Sequence, residues 1–530
     1  MNYQSGAFLL FSAAVVLLYY LFGKRMQKYI LLLANIVFLV ISGAKHIPYI
    51  AVTLLASYFC GLCIGRIYDG EKLALKTAAD KEEKKAIRAA SKKKAKRWLI
   101  LFLVISVGLL FTCKYLNFIA QLLNDLLRHF SSVQIPLFKL LLPLGISFYT
   151  FMAIGYVLDV YWKRYDREKN FIFFALFLTY FPHFVQGPID RYNKFKSQIQ
   201  DGVPASWHNL TYGLQLMLWG FFKKLVVADR LGIFVDSIYG NWSSYGGLIF
   251  ILTTMLYAVQ IYTDFSGCID IVSGLSETMG IHLAENFHHP YFARTIPDFW
   301  RRWHISLTSW FRDYIYLPVS TSRFVKKTKA FSKNHFGRFG SKVEMQVGLN
   351  IPLLVVWFLT GLWHGAAIKY IAWGLYYGIL MMLSNIFAET NTKLTQKLHI
   401  KVESFGWKTW QVLRTFTLTL IGRVIFRAEN YAVAKEMLKS CVSGAKWEFI
   451  LDGKIFTYGL NAQNLRLALV SILVVWIVDL LQERMKLRDA LAKEPLIFRW
   501  VLIFGCLMAV IIFGIYGPGY DAAKFIYEQF

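Results

Sequence analysis

Two histidines stand where an imidazole could do chemistry. His364 lies in "FLTGLWHGAAIKY" (358–370), at the end of an otherwise apolar run. His304 lies in "TIPDFWRRWHISLTSWFRDYIYLP" (295–318), a segment dense in Trp, Arg and Asp. Neutral imidazole suits general-base work near neutral pH. An ionisable group at membrane depth is costly and commonly lines a cavity or pathway. The competing reading of His364 is packing, because Gly361 and Gly365 form a small-xxx-small pair that lets another helix approach. Around His304, helical spacing predicts one stripe of Arg301, His304, Thr308 and Arg312, beside an aromatic stripe of Trp303, Leu307, Trp310 and Tyr314. An interfacial aromatic belt is the alternative for the tryptophans. Pro297 followed by Asp298 marks the helix start. Arg301, Trp303, Arg312 and Trp363 are the candidate substrate-binding residues beside the two imidazoles, together with Asp264 of "YTDFSG". The plainer reading of Asp264 and Asp270 is a hydrogen-bonded structural carboxylate paired with an arginine such as Arg301.

The elements that position these residues are read from composition. The chain has 530 residues, 56% hydrophobic and 17% aromatic, too apolar over too many separate runs for a soluble multidomain protein. Spans of roughly 20 residues cross a hydrocarbon layer of about 30 Å. Candidate runs lie near 5–22, 27–43, 47–66, 98–118, 138–161, 171–188, 211–236, 246–263, 346–363, 368–387, 411–427, 465–482 and 497–516. The expectation is an all-α polytopic membrane protein of about 11–13 transmembrane or re-entrant helices, a single membrane domain over 1–530 with its catalytic core at 260–380 and an extramembrane loop at 430–464.

The net charge of +27, from 59 basic and 32 acidic residues, would suggest nucleic acid in a soluble protein. Here the densest block, "KEEKKAIRAASKKKAKR" (81–97), lies between apolar runs. The positive-inside bias assigns the 70–97 loop to the cytoplasm, with anionic lipid as its partner rather than nucleic acid. Counting spans back puts Lys24, Arg25 and Lys28 in the cytoplasm, and "GAKH" (43–46) and the N-terminus outside. The first run then reads as a signal anchor rather than a cleaved peptide. The acid-free basic stretch 323–342 is also cytoplasmic, so the following run travels outward. His364 lies 17 residues beyond Val347, roughly 26 Å along that helix, towards the outer side. "GPIDRY" (187–192) reads as a structural turn. Cys60 and Cys63 form a CxxC inside an apolar run with no second pair, which argues against zinc or redox use.

The runs 260–320 and 359–379 resemble the membrane-bound O-acyltransferase (MBOAT) family, bacterial branch. Further stretches, "LPLGISFYTFMAIGYVLDVYW" (143–162), "FPHFVQGPIDRYNKF" (181–195), "GRVIFRAENYAVAKEML" (422–438) and the terminal "KFIYEQF", are similar to its alginate O-acetyltransferase type (AlgI type). The D-alanyl transfer type of the teichoic-acid pathway (DltB type) shares the His304 and His364 motifs and comes second. The resemblance implies a ring of tilted helices around re-entrant elements and a central tunnel. It also implies that His364 of "WHG" and His304 of "RWH" are the catalytic pair. No cofactor is bound and no metal is required, and acetyl-CoA is the expected acyl donor. Acyl transfer needs a base, oxyanion donors and a water-poor channel.

Two classes of function follow. One is an O-acetyltransferase of the bacterial inner membrane, moving an acetyl group from the cytoplasm to a cell-envelope polysaccharide, directly or through an extracytoplasmic acetyltransferase or polysaccharide-export proteins. The other is a lipid-linked glycan transporter. Transporters commonly carry internal repeats and opposed charge pairs, and this sequence shows no repeat, so the enzyme is preferred. Within it, His304 is expected to serve the donor half of the reaction and His364 the acceptor half.

Overall fold

The computed structural model describes residues 3–130, 133–442, 449 and 452–516. The terminal "KFIYEQF" and part of the 430–464 stretch lie outside the described residues. Within those described, regular structure is helical, and the one pairing of extended backbone is a bridge between Phe287 and Trp303. Six helical segments are long and apolar enough to cross a membrane: Gln27–Thr77, Lys81–Lys114, Leu248–Thr278, Gly337–His364, Ala462–Gln482 and Leu496–Phe513. The pair Ile368–Ile386 and Ala388–Lys397, bent by 57°, makes a seventh if it is one span. Other expected runs are shorter or broken. Gly6–Leu21 and Ile146–Tyr161 have 16 residues each, about 24 Å of helix. The run at 171–188 splits into Phe171–Thr179 and Phe181–Phe184. Its residues are almost all buried, and irregular backbone at membrane depth is tolerated only where protein surrounds it.

The chain divides into two compact units, Met1–Leu214 with Val272–Ala284, and Gln215–Ile271 with Glu285–Phe530. In the first, the basic block is helical. Ile47–Thr77 and Lys81–Lys114 pack as a hairpin joined by residues 78–80. Asp80 caps the second helix by accepting from Glu83 N at 2.7 Å, while Glu83 Oε2 accepts from Ala79 N at 2.7 Å, a reciprocal cap that starts the helix at once. Its 34 residues span about 51 Å, roughly 20 Å more than the hydrocarbon layer, so the basic half projects beyond it. In the same unit Asn35 Nδ2 donates to Thr179 Oγ1 and its Oδ1 accepts from Phe181 N, which repairs the helix break there. Asp190 of "GPIDRY" accepts from Ala284 N and lies 3.2 Å from the buried His183, consistent with a structural turn.

The second unit is built on residues 248–271 of the long helix Leu248–Thr278, whose apolar side chains join those of helices Asp229–Gly240, Ile368–Ile386, Phe405–Arg427 and Ala462–Gln482 in one aromatic-rich core. Leu496–Phe513 has no buried residue, as expected of a helix that faces lipid. The projecting hairpin generates a prediction. In a cysteine-free background, Ala90→Cys and Asn334→Cys, both exposed where Ser91 and Ser332 are buried, resist an impermeant thiol reagent in intact cells and react after lysis. Labelling of both in intact cells would reverse the orientation.

Candidate active site

His364 is the last residue of helix Gly340–His364, which starts seven residues before the expected Val347 and hairpins onto Ile368–Ile386. The turn is dictated by glycine. A Cβ on Gly361 would sit 2.3 Å from Tyr370 O, one on Gly374 2.2 Å from Trp357 O, and one on Gly365 2.2 Å from the Tyr370 ring. The small-residue packing anticipated from sequence is therefore present, and it is also what places the imidazole. His364 is 3% exposed and walled by the rings of Trp373, Trp363 and Phe426 at 4.7, 4.9 and 5.5 Å between centroids.

The helix expected over 295–318 forms in short pieces. Thr295 caps a short helix Ile296–Arg302, His304 adopts a left-handed conformation at φ 48°, and a second short helix, Ile305–Phe311, begins after it. The cause is an antiparallel segment. His288 N donates to Arg302 O at 2.9 Å, Ile305 N to Asn286 O at 3.0 Å, and Ser306 N and Oγ both donate to Asn286 Oδ1. These bonds satisfy the backbone freed by the break and over-determine a conformation that costs a non-glycine residue about 1–2 kcal/mol. The stripe of Arg301, His304, Thr308 and Arg312 consequently does not form. His304, 1% exposed, packs edge-on to Phe265 at 4.9 Å and to Trp363 at 5.9 Å. Trp363 thus touches both imidazoles, His304 across the fold and His364 as its neighbour in the chain.

Three other candidates fall elsewhere. The side chains of Arg301 and Arg312 are 71% and 65% exposed and pair with Asp298 and Asp313. Asp264 pairs not with Arg301 but with Lys224 at 2.5 Å, and Lys224 also binds Asp229 at 2.7 Å. Lys223 binds Asp270 at 2.7 Å and donates to Ser266 at 2.9 Å. Both lysines lie on a π-helical turn, Phe222–Ala228. It meets the Leu248–Thr278 helix where a Cβ on Gly220 would lie 2.6 Å from Gly267 O. Buried charges are retained when paired in this way. Trp303, 2% exposed, carries the Arg423 guanidinium 4.2 Å above its ring centre. Sequence reasoning missed Lys224, Trp373, Arg423 and Phe426; Lys224 reaches Asp264, Arg423 reaches Trp303 and Phe426 reaches His364 across 40 or more residues of chain.

Arg302, rather than Arg301, anchors the region by binding Asp298 and Glu483, and Glu483 also lies 3.2 Å from His289 Nδ1. Beside it opens a cleft of about 910 Å³ whose charged lining is Arg294, Arg301, Arg302, Lys408 and Arg484 against Asp298 and Glu483. The excess of cations suits an anionic ligand. The paired imidazoles, in a water-poor aromatic wall, suit proton transfer to and from a reacting hydroxyl.

Residues 166–333 match the family model described as MBOAT, membrane-bound O-acyltransferase family. A "Probable alginate O-acetylase AlgI" of Pseudomonas syringae pv. tomato is 31% identical over 487 residues, 92% of this chain and 84% of the relative. The protein of the same name in Pseudomonas aeruginosa is 32% identical over 88% of this chain and 80% of its own length. A "Teichoic acid D-alanyltransferase" of Bacillus subtilis is 30% identical over 56% of this chain and 71% of its own.

The buried ion network predicts an asymmetric mutational response. Lys224→Met removes the cation shared by Asp264 and Asp229 and lowers stability by about 3–5 kcal/mol, the usual loss when one partner of a buried pair is removed. Arg301→Ala, at an exposed pair, changes it by no more than about 1 kcal/mol. Reversible unfolding in mixed micelles measures both. Equal responses would contradict the assignment.

Proposed function

The chain belongs to the membrane-bound O-acyltransferase family and is an O-acyltransferase, and on that premise we propose that it moves an acetyl group from a cytoplasmic thioester, acetyl-CoA, across the membrane for O-acetylation of a cell-envelope polysaccharide, directly or through a partner acetyltransferase. The observation that carries the reading is the convergence of the "RWH" and "WHG" histidines on one indole, Trp363.

The chemistry follows from that convergence. His364 takes the proton of the acceptor hydroxyl as the oxygen attacks the thioester carbon, and returns a proton to the departing thiolate. His304, held by its strained turn, borders the same space and positions the acyl group. Burial among Trp363, Trp373 and Phe426 limits competing hydrolysis. On the donor side, the arginine-lined cleft beside Glu483 suits the phosphates of coenzyme A. Alginate-type acetylation is favoured over D-alanyl transfer because the similarity to the alginate O-acetylases runs through 92% and 88% of the chain, against 56% for the D-alanyltransferase. The partner proteins are extracytoplasmic acetyltransferases or polysaccharide-export components, and the membrane is the bacterial inner membrane.

His364→Ala is expected to lower transfer of labelled acetyl groups from acetyl-CoA to the envelope polymer by roughly 10²–10⁴-fold, the range for a lost general base, with normal insertion. His304→Ala is expected to fall comparably, because both rings border one site. Wild-type polymer acetylation in a well-expressed His364→Ala strain would sink the reading.

A further inference from the structure

Arg423 has no role in the scheme above, yet its position is unusual. It lies on helix Phe405–Arg427, is 3% exposed, and stacks on Trp303, the residue before His304. Three residues later on the same helix, Phe426 packs on His364 at 5.5 Å. Residues three apart are neighbours on a helix face, so one helix face reaches the indole beside one histidine and the imidazole of the other.

The guanidinium has no carboxylate within ion-pair distance among the described residues, and its Nε and Nη2 have no hydrogen-bond partner. The Tyr291 hydroxyl, which donates to Ala258 O, accepts from the remaining guanidinium nitrogen, and the hydroxyls of Tyr377 and Tyr257 lie in the same neighbourhood. Nearby indoles add further donors. Trp300 Nε1, Trp373 Nε1 and Tyr257 OH are likewise buried without a partner. Trp373 packs edge-on to His364 at 4.7 Å and lies 5.6 Å from Trp300. A buried cation without a counter-ion is expensive, and contact with an indole face offsets only part of that cost. Unsatisfied guanidinium and indole N–H donors favour a group that becomes negatively charged on oxygen.

We propose that Arg423 is a further catalytic residue of the acyl transfer, its guanidinium receiving the carbonyl oxygen of the transferred acyl group and holding the oxyanion of the tetrahedral intermediate. The inference rests on the acyl-transfer reading. In the step, the acceptor O–H gives its proton to His364 and the hydroxyl oxygen bonds to the acyl carbon. The carbonyl π pair moves onto the oxygen facing Arg423. Collapse re-forms the carbonyl and breaks the carbon–sulfur bond, and the thiolate leaves with the proton from His364. Atoms and charge balance without any further reactant.

The test uses the full-length protein in inside-out membrane vesicles of the producing cell with [¹⁴C]acetyl-CoA, following ester label in the polymer, and donor binding to the purified chain. Arg423→Ala is expected to lower the maximal transfer rate by roughly 10²–10³-fold, the usual effect of removing one oxyanion donor, with acetyl-CoA affinity near wild type. Added guanidinium ion, but not ammonium, is expected to restore part of the rate, a rescue that a merely structural role would not show. Arg423→Lys keeps the charge and tests the fork should the alanine variant not fold; it is expected to bind donor and lose most of the rate. Transfer close to wild type in either variant, or a loss that guanidinium leaves unrestored, overturns the role of Arg423 while the acyl-transfer reading stands. Wild-type vesicles that label no polymer would overturn both.

Discussion

Backbone broken at membrane depth must have its freed N–H and C=O groups satisfied by protein, and the second unit is arranged around meeting that demand at His304. Lipid supplies no hydrogen bonds, so a helix stopped at Arg302 and restarted at Ile305 is tolerable only because the 286–288 segment lies antiparallel and takes up the loose groups. That segment is itself fixed by the Phe287 contacts to Phe265 and Trp303, at 4.9 and 5.0 Å. From this one repair follow the left-handed His304, the inward Trp303 and the stacking of Arg423. Without it, His304 would return to a helical stripe beside Arg301.

The second support is ionic. The paired lysines of the π-turn hold Asp264 and Asp270 of the long helix, which fixes the axial position of Phe265 against His304. The third is steric: glycines at 361, 365 and 374 bring two helices into backbone contact and end the first of them at His364. Each support uses a different physical means, and each delivers one side of the pair of imidazoles to Trp363.

Sequence carried the residue types well and their partners poorly. His364 stood out because an ionisable ring in an apolar run is costly, and His304 because it lies among Trp, Arg and Asp, while the glycine pair beside His364 read correctly as a packing surface. The helix start at Thr295 was legible from Pro297 and Asp298, whereas the break at His304 was not, since Asn286, which repairs it, lies 18 residues earlier in a stretch without periodicity. Asp264 was recognised as a structural carboxylate, but with the wrong partner: Lys224 is 40 residues away, and no local rule connects them. Arg423 was not singled out, because its burial is a property of the core rather than of its neighbours. The basic block at 81–97 was assigned to the cytoplasm from its charge, and its helix is started by the Asp80 and Glu83 cap.

The central claim is that both imidazoles border one acyl-transfer site at Trp363, reached from the arginine-lined cleft. A structure of the chain with a non-hydrolysable acetyl-CoA thioether tests this most directly. The account predicts phosphates at Arg294, Arg302 and Arg484, and the acyl carbonyl beside Trp363 within reach of both His304 and His364. An acyl group lying next to one histidine and remote from the other, with Trp363 out of contact, would contradict it.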